Sequence, residues 1–456
     1  MKILMVRPKP SSETIGLQHL MIVEPLELEI LCTLKRKTDL AVIVDMILEK
    51  RSFESFIIEH TPDVLCVTGY LTNVSTMISY CETAKRLSKN LTTIVGGVHC
   101  EICPEDFDHN AIDFRVVRNA AQVFTDLLNH IDKKSDLPGG VLIKGASLKD
   151  VQLPAFDFRV PFPDRESVTK YRDQYFYIFQ DKVALIKTSF GCPYNCSFCF
   201  CRIITNGQYF RRPLFEVIQE MEQIQEKEVY IVDDDFLIDT KWLQTFILEI
   251  KLRKIQKHFL VYGRADFIAK NPELMHDLAE IGLSTVIVGF ESFSDMELKL
   301  YNKNTSVEMY KETMKVLNRE KIDCFATIII PPEWDKQDFR NMVKIIKKLG
   351  IHFVNLQPLT PLPKTGISYP ESQIIIGRAD YEKWDLAHIT VQPTKLTVPE
   401  FYNEILKAYN SILYNPIVLW KYLTTYKPIM LFKMLSGGIR VSKQYRQKIK
   451  EAIQHA

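Results

Sequence analysis

The chain has 456 residues, a hydrophobic share of 46%, a charged share of 25% and a formal net charge of +2. Its size predicts two or three domains and its composition a globular protein in water, while the near-neutral charge gives no case for nucleic acid as a partner. Residues 1–7 enter a strand-like run with no secretory leader pattern, and no apolar stretch is long enough to cross a bilayer; the ten cysteines are therefore read as reduced thiols and metal ligands in the cytoplasm, not as a disulfide framework.

Short apolar runs at 3–6, 41–44, 64–68, 93–95 and 114–117 alternate with helical stretches such as 26–37 and 74–88. Near-continuous apolar strands separated by helices predict a parallel sheet covered on both faces, and this pattern reads as a Rossmann-like domain over 1–138. Residues 139–181 read as a linker, broken by Pro154, Pro161 and Pro163 and made aromatic by Tyr171, Tyr175, Phe176 and Tyr177. The alternation then resumes, with strands at 183–188, 229–232, 259–262, 285–289, 324–330 and 353–357. Helices at 215–226, 242–253, 272–281, 307–319 and 336–348 separate them. Six such units predict an α/β domain of partial (β/α)6 TIM-barrel type over 182–366, with chemistry at the C-terminal ends of its strands. A mainly helical extension fills 367–456. Within it, 414–440 mixes apolar, aromatic and basic residues, a pattern that suits packing on the chain's own barrel or contact with a membrane or lipid substrate.

Cys192, Cys196 and Cys199 lie in the loop after the first barrel strand, where a barrel places its active site. Their C-x3-C-x2-C spacing offers three thiolates to a cluster of four irons and leaves one iron open. A zinc site or a set of buried thiols is the alternative; zinc needs a fourth ligand, and Cys201 is too crowded a neighbour to be a natural one. With Phe198 before the third cysteine, the run 188–199 resembles the signature of the radical S-adenosylmethionine (SAM) superfamily. The resemblance implies a 4Fe-4S cluster that cleaves SAM by one-electron reduction, fed by an external donor such as a flavodoxin or ferredoxin. It also implies SAM contacts from Phe198, from Asp234 in the run Asp233–Asp235, from Arg264 and from Glu291, each at the end of a successive barrel strand. The fifth strand lacks the glycines that relatives often carry, so adenine contact there is expected through the backbone around Ile330.

Two loops of the first domain resemble those of the cobalamin-binding domain that precedes the barrel in one radical SAM subclass. Thr68, Tyr70, Leu71 and Thr72 follow the third strand and offer hydroxyls. Gly96, Gly97, Val98 and His99 follow the fourth, where paired glycines would let a large ligand approach the backbone. A backbone hydrogen bond is the alternative role for His99. The signature Asp-x-His-x-x-Gly is absent, as is common in this subclass, and the turn at 117–122 lacks the Gly-Glu-rich pattern of relatives. The resemblance extends from the N-terminus to about residue 366. It implies cobalamin-dependent C-methylation of an unactivated carbon on a small-molecule or lipid substrate, one SAM serving the cobalt and a second the cluster. The other reading is a cobalamin-free radical SAM enzyme that couples, cyclises or rearranges carbon skeletons.

Overall fold

The computed structural model describes residues 1–413 and 415–454. Tyr414, the first residue of the apolar and basic stretch, lies outside the described residues.

The first sheet contains the parallel strands β1 (Lys2–Arg7), β2 (Leu40–Asp45), β3 (Val64–Thr68), β4 (Thr92–Gly96) and β5 (Phe114–Val116), in spatial order 2-1-3-4-5. Its central strands are buried along their length because helices cover both faces. Side chains of α1 (Leu26–Thr33) pack on one face; those of α2 (Phe53–His60), α3 (Val74–Leu87) and α4 (Val98–Ile102) pack on the other. The aromatic and aliphatic residues of α5 (Ala120–Ile131) lie with α1. The strand order reverses between β1 and β3, so the loops after these strands flank a crevice, the usual ligand position in such sheets. A sixth strand, β6 (Val141–Ile143), pairs antiparallel with β5 inside the segment read as linker. Its short apolar run follows Pro138, Gly139 and Gly140 and no helix comes directly after it, so the β/α alternation does not mark it.

The second sheet runs β7 (Val183–Ile186), β8 (Glu228–Ile231), β9 (His258–Gly263), β10 (Leu283–Glu291), β11 (Asp323–Ile330) and β12 (Phe353–Pro358), all parallel and in chain order, without closure between β7 and β12. The amphipathic helices α6 (Leu214–Gln223), α7 (Thr240–Leu252), α8 (Pro272–Glu280), α9 (Val307–Arg319) and α10 (Lys336–Leu349) cover the outside.

Residues beyond 366 pack in three places. Tyr381 and Trp384 join the core under the first sheet. Phe401, Tyr402 and Ile405 of α11 (Val398–Leu413) pack on the barrel's outer core. Tyr422 of α12 (Pro416–Thr425) and Tyr426, together with Leu431 of α13 (Pro428–Gln454), fill the barrel interior with Tyr177, Ile178 and Phe179 of the 176–181 hairpin. The rings of Phe179 and Tyr426 stack at 3.8 Å.

The two sheets are pinned by a buried ionic chain. Glu24, just before α1, receives Arg165 Nη1 at 2.9 Å; Arg165 Nη2 reaches Glu220 of α6 at 2.9 Å, and Glu220 also accepts from Arg212 at 2.8 Å. Each charge has a partner, which such burial requires.

Candidate active site

The cysteine loop is rooted by Asp233. This buried carboxylate, at the end of β8, accepts from the backbone N–H groups of Thr188 at 2.6 Å and Ser189 at 2.9 Å and from both hydroxyls. Asp233 is thus spent on holding the loop. Asp234 is half-buried and has no hydrogen bond or ion pair among the described residues, and it contributes to the field at Cys192, Cys199 and Tyr262. Asp235 is buried, one of its oxygens lacks a partner, and burial pushes its carboxyl up to about 7, opposed by Arg264.

A second set of bonds holds the far side of the loop. Ser197 N–H donates to Tyr301 O at 3.0 Å, Asn302 Nδ2 donates to Asn195 O at 2.7 Å, and Gly366 N–H donates to Ser197 O at 2.7 Å. Cys192, Cys196 and Cys199 are consequently half-buried on a fixed loop. Burial pushes the Cys192 thiol up to about 12 and raises Cys196, the latter opposed by Lys303 and Arg264, while hydrogen bonding from Cys201 lowers Cys199. Among the described residues, His99, Cys103 and Asp106 form the trio whose donor atoms all lie within 4.8 Å of one another; the three loop cysteines do not. Three thiols on one fixed loop offer a 4Fe-4S cluster three of its four ligands. Cys201 opens the short helix Cys201–Ile204, half-buried beside Cys199.

Arg264, at the end of β9, holds Asp266 with Nε at 2.8 Å, donates through Nη2 to the Lys303 carbonyl, and lies 3.9 Å from the Tyr194 ring centre. Its Nη1, 4.0 Å from Cys196 Sγ, is the nitrogen left to face the loop. Glu291 ends β10 in the left-handed region (φ +64°) and pairs with buried Lys303 at 3.0 Å. A Cβ at position 289 would sit 2.3 Å from Glu291 Oε1 and 2.9 Å from Lys303 Nζ, so the ion pair itself requires glycine there. Lys303 escaped the sequence reading. Its signal was faint: one lysine in a loop, distinguished only by lying opposite Glu291 after folding.

At Ile330, where adenine contact is expected through the backbone, the side chain turns away from the cysteine loop. Ile330 faces the outer core with Ile328, and its carbonyl accepts from Leu359 N–H at 2.9 Å. Its neighbour Ile329 points the other way and packs with Phe198, Tyr301 and Leu359 beside the cysteine loop. One residue along a strand exchanges faces. Phe198 itself lies edge-on to Tyr301 at 5.7 Å.

In the first domain, Thr68 is buried, Leu71 and Thr72 are half-buried, and Tyr70 projects from the loop after β3. Tyr70 exposes 61% of its surface, yet its hydroxyl lies in the fields of Arg7 and Glu27 from its own domain and of Tyr262 and Asp234 from the barrel. It therefore stands on the side of the first sheet that faces the barrel, with its ring largely open to solvent. Gly96, Gly97 and Val98 are half-buried at the crevice end of β4. Gly97 has φ +98°, and a Cβ there would meet Gly69 O and Thr68 Oγ1 at 2.7 Å; the close approach it serves is that of the neighbouring loop. Position 96 is different, its nearest neighbour being Val116 at 3.7 Å. His99 turns inward. It is 3% exposed, bonds Asp106 through Nε2 at 2.8 Å and lies edge-on to Tyr381 at 5.1 Å, so its expected role at the ligand face is corrected to one in packing.

The Radical SAM superfamily matches residues 186–346, and the B12 binding domain matches residues 14–128. This is a radical SAM chain with a B12 binding domain. Along 92% of its length it is 27% identical to the Hopanoid C-3 methylase of Methylococcus capsulatus, covering 81% of that protein. It is also 23% identical to an uncharacterized methyltransferase of Pyrococcus horikoshii, over 97% of this chain and 99% of the other. The fold of this radical SAM chain is that of the methyltransferase TsrM from Kitasatospora setae, solved with cobalamin and a 4Fe-4S cluster: TM-score 0.68, 15% identity, 100% of this chain and 99% of that one. The cobalamin-dependent SAM radical enzyme OxsB shares the fold at TM-score 0.62 and 15% identity, with 84% of this chain covering 55% of that one.

Proposed function

We propose that this chain transfers a methyl group to an unactivated carbon of a small-molecule or lipid substrate, with cobalamin as the methyl carrier. The observation that carries the reading is the half-buried cysteine loop at the C-terminal ends of the barrel strands, rooted by Asp233 and faced by Arg264 Nη1, in a chain whose first sheet opens its own switch-point loops after β1 and β3. When bound, the cluster, SAM and cobalamin supply one-electron cleavage of a sulfonium and a cobalt-carried methyl group.

The protein's own residues hold and orient these groups. Cys192, Cys196 and Cys199 ligate the cluster, with Arg264 Nη1 and Lys303 favouring the charged form of Cys196. Asp234, Arg264 and the Glu291–Lys303 pair face the methionine end of SAM, and Ile329 with Phe198 offers an apolar wall to its adenine. Thr68, Tyr70, Leu71, Thr72, Gly96, Gly97 and Val98 border the cobalamin side of the crevice. Relatives named Hopanoid C-3 methylase and Hopanoid C-2 methylase support an apolar substrate. A flavodoxin or ferredoxin of the cytoplasm supplies the electron.

The test is anaerobic reconstitution with iron, sulfide and hydroxocobalamin, then incubation with SAM and a strong reductant. Retention of cobalamin, together with formation of 5′-deoxyadenosine, is the expected result. A folded protein that makes 5′-deoxyadenosine while retaining no cobalamin would overturn methyl transfer in favour of cobalamin-free carbon-skeleton chemistry.

A further inference from the structure

The last two helices present an apolar stripe to solvent. Trp420 and Leu423 on α12, and Ile429, Phe432, Leu435 and Ile439 on α13, are all large and all more than half exposed, Trp420 at 70% and Phe432 at 69%. On α13 the spacing of three and four residues gathers them along one side. The opposite side, with Met430, Gly437 and Tyr445, is the buried one. Contiguous exposure of this size is unusual for a surface with no partner.

Charge selects the partner. Between Glu404 and Glu451 the sequence contains no Asp or Glu and nine Lys or Arg. Lys421 and Lys433 are neutralised by Asp323 and Asp181 on the barrel. Lys427, Arg440, Lys443, Arg446 and Lys450 are exposed and have no ion pair among the described residues. At about 100° per residue, Lys443, Arg446 and Lys450 continue the line of the apolar stripe. A second copy of this face would set cations against cations. Among the described residues no helix is long and apolar enough to cross a membrane. An apolar stripe edged only by free cations, on a helix that does not span, matches the boundary of a bilayer with anionic headgroups.

We propose that the outer face of α12 and α13 docks this protein on an anionic lipid surface. Lys421 bonds Asp323 and the Tyr422 hydroxyl bonds His352 O, both at the N-terminal ends of the last barrel strands. α12 therefore sits at the N-terminal end of the barrel, and α13 runs from there to the loop after β1, where Gln444 Nε2 donates to Thr14 O at 3.0 Å and Lys448 pairs with Glu13 at 3.2 Å.

Reconstituted protein is to be floated with vesicles of phosphatidylcholine alone and of phosphatidylcholine with phosphatidylglycerol. Binding is expected to the second kind only, to weaken with salt, and to carry a blue shift in emission from Trp420, since Trp242, Trp334 and Trp384 are buried or half-buried. Trp420→Ser with Phe432→Ser should abolish flotation, and Arg440→Gln and Lys443→Gln should each weaken it about fivefold. All four side chains are exposed, so thermal melting should not move. Absence of flotation with phosphatidylglycerol overturns the proposal, as does flotation that survives the double substitution. Concentration-dependent self-association without vesicles, lost in the same double variant, would assign the face to a second copy instead.

Discussion

Two loops at the C-terminal edges of two parallel sheets face one crevice, and they are built differently. The cysteine loop is held from outside: Asp233 ties its root, and the 300–303 segment and residue 366 tie its far side, leaving its thiols to the ligand. The glycine loop after β4 is held from within. Gly97 makes room for the loop after β3, and His99 is consumed by Asp106. One loop displays side chains and hides its scaffold. The other spends its recognisable residues on scaffold and leaves space and backbone to the ligand.

The largest way to break this contrast is at the cysteines. Cys196→Ala should remove the cluster's iron and abolish 5′-deoxyadenosine, while the circular dichroism spectrum stays that of the unaltered protein; retained iron with unchanged turnover would refute the ligand assignment. Lys303→Met strands a buried carboxylate, so urea denaturation should show a loss of about 3–5 kcal/mol, largely restored by adding Glu291→Gln. An unmoved midpoint would mean that the pair does not shape the loop's surroundings.

Smaller effects sharpen the glycine side. Gly97→Ala must adopt φ +98° and press on a carbonyl, and should cost about 1–3 kcal/mol of stability even without cobalamin. Gly96→Ala should leave stability within about 0.5 kcal/mol and instead reduce hydroxocobalamin retention. Equal stability losses at the two positions would erase the distinction. The smallest effect concerns Glu101 of α4, whose carboxyl burial pushes up to about 7. A carboxyl with a folded pKa above its unfolded value favours folding in its protonated form. That contribution is present below about pH 4.5 and is lost as pH rises through about 7. Partial exposure limits the loss to about 1–2 kcal/mol. Glu101→Gln should flatten the change in stability between pH 5 and pH 8, and an unchanged slope would place the titration elsewhere.

The same contrast explains what could be read before folding. Strands β1 to β5 and β7 to β12 were legible because their apolar runs alternate with helical stretches. β6 was not, because its short run follows Pro138, Gly139 and Gly140 and no helix comes directly after it. Cys192, Cys196 and Cys199 were legible because spacing along the chain sets spacing in space. Lys303 was not, because its meaning depends on the loop after β10 folding back to bring it onto Glu291. The shift from Ile330 to Ile329 shows the limit of strand reading: the segment was found, but its two faces differ by one residue and nothing local tells them apart. His99 misled because a histidine beside two glycines looks the same in sequence whether it faces a ligand or a neighbouring carboxylate.

Tyr381 and Trp384, which complete the core under the first sheet, are synthesised only after the entire barrel. During translation the first domain must therefore wait, with His99, which packs edge-on to Tyr381, incompletely covered, until a segment from far downstream arrives. Such long-range closure slows folding and exposes a sticky intermediate to the cell. A chain cut after the barrel would leave the B12 binding domain without its last layer. A late-arriving segment thus ties the core of the first domain to chain that lies beyond the barrel.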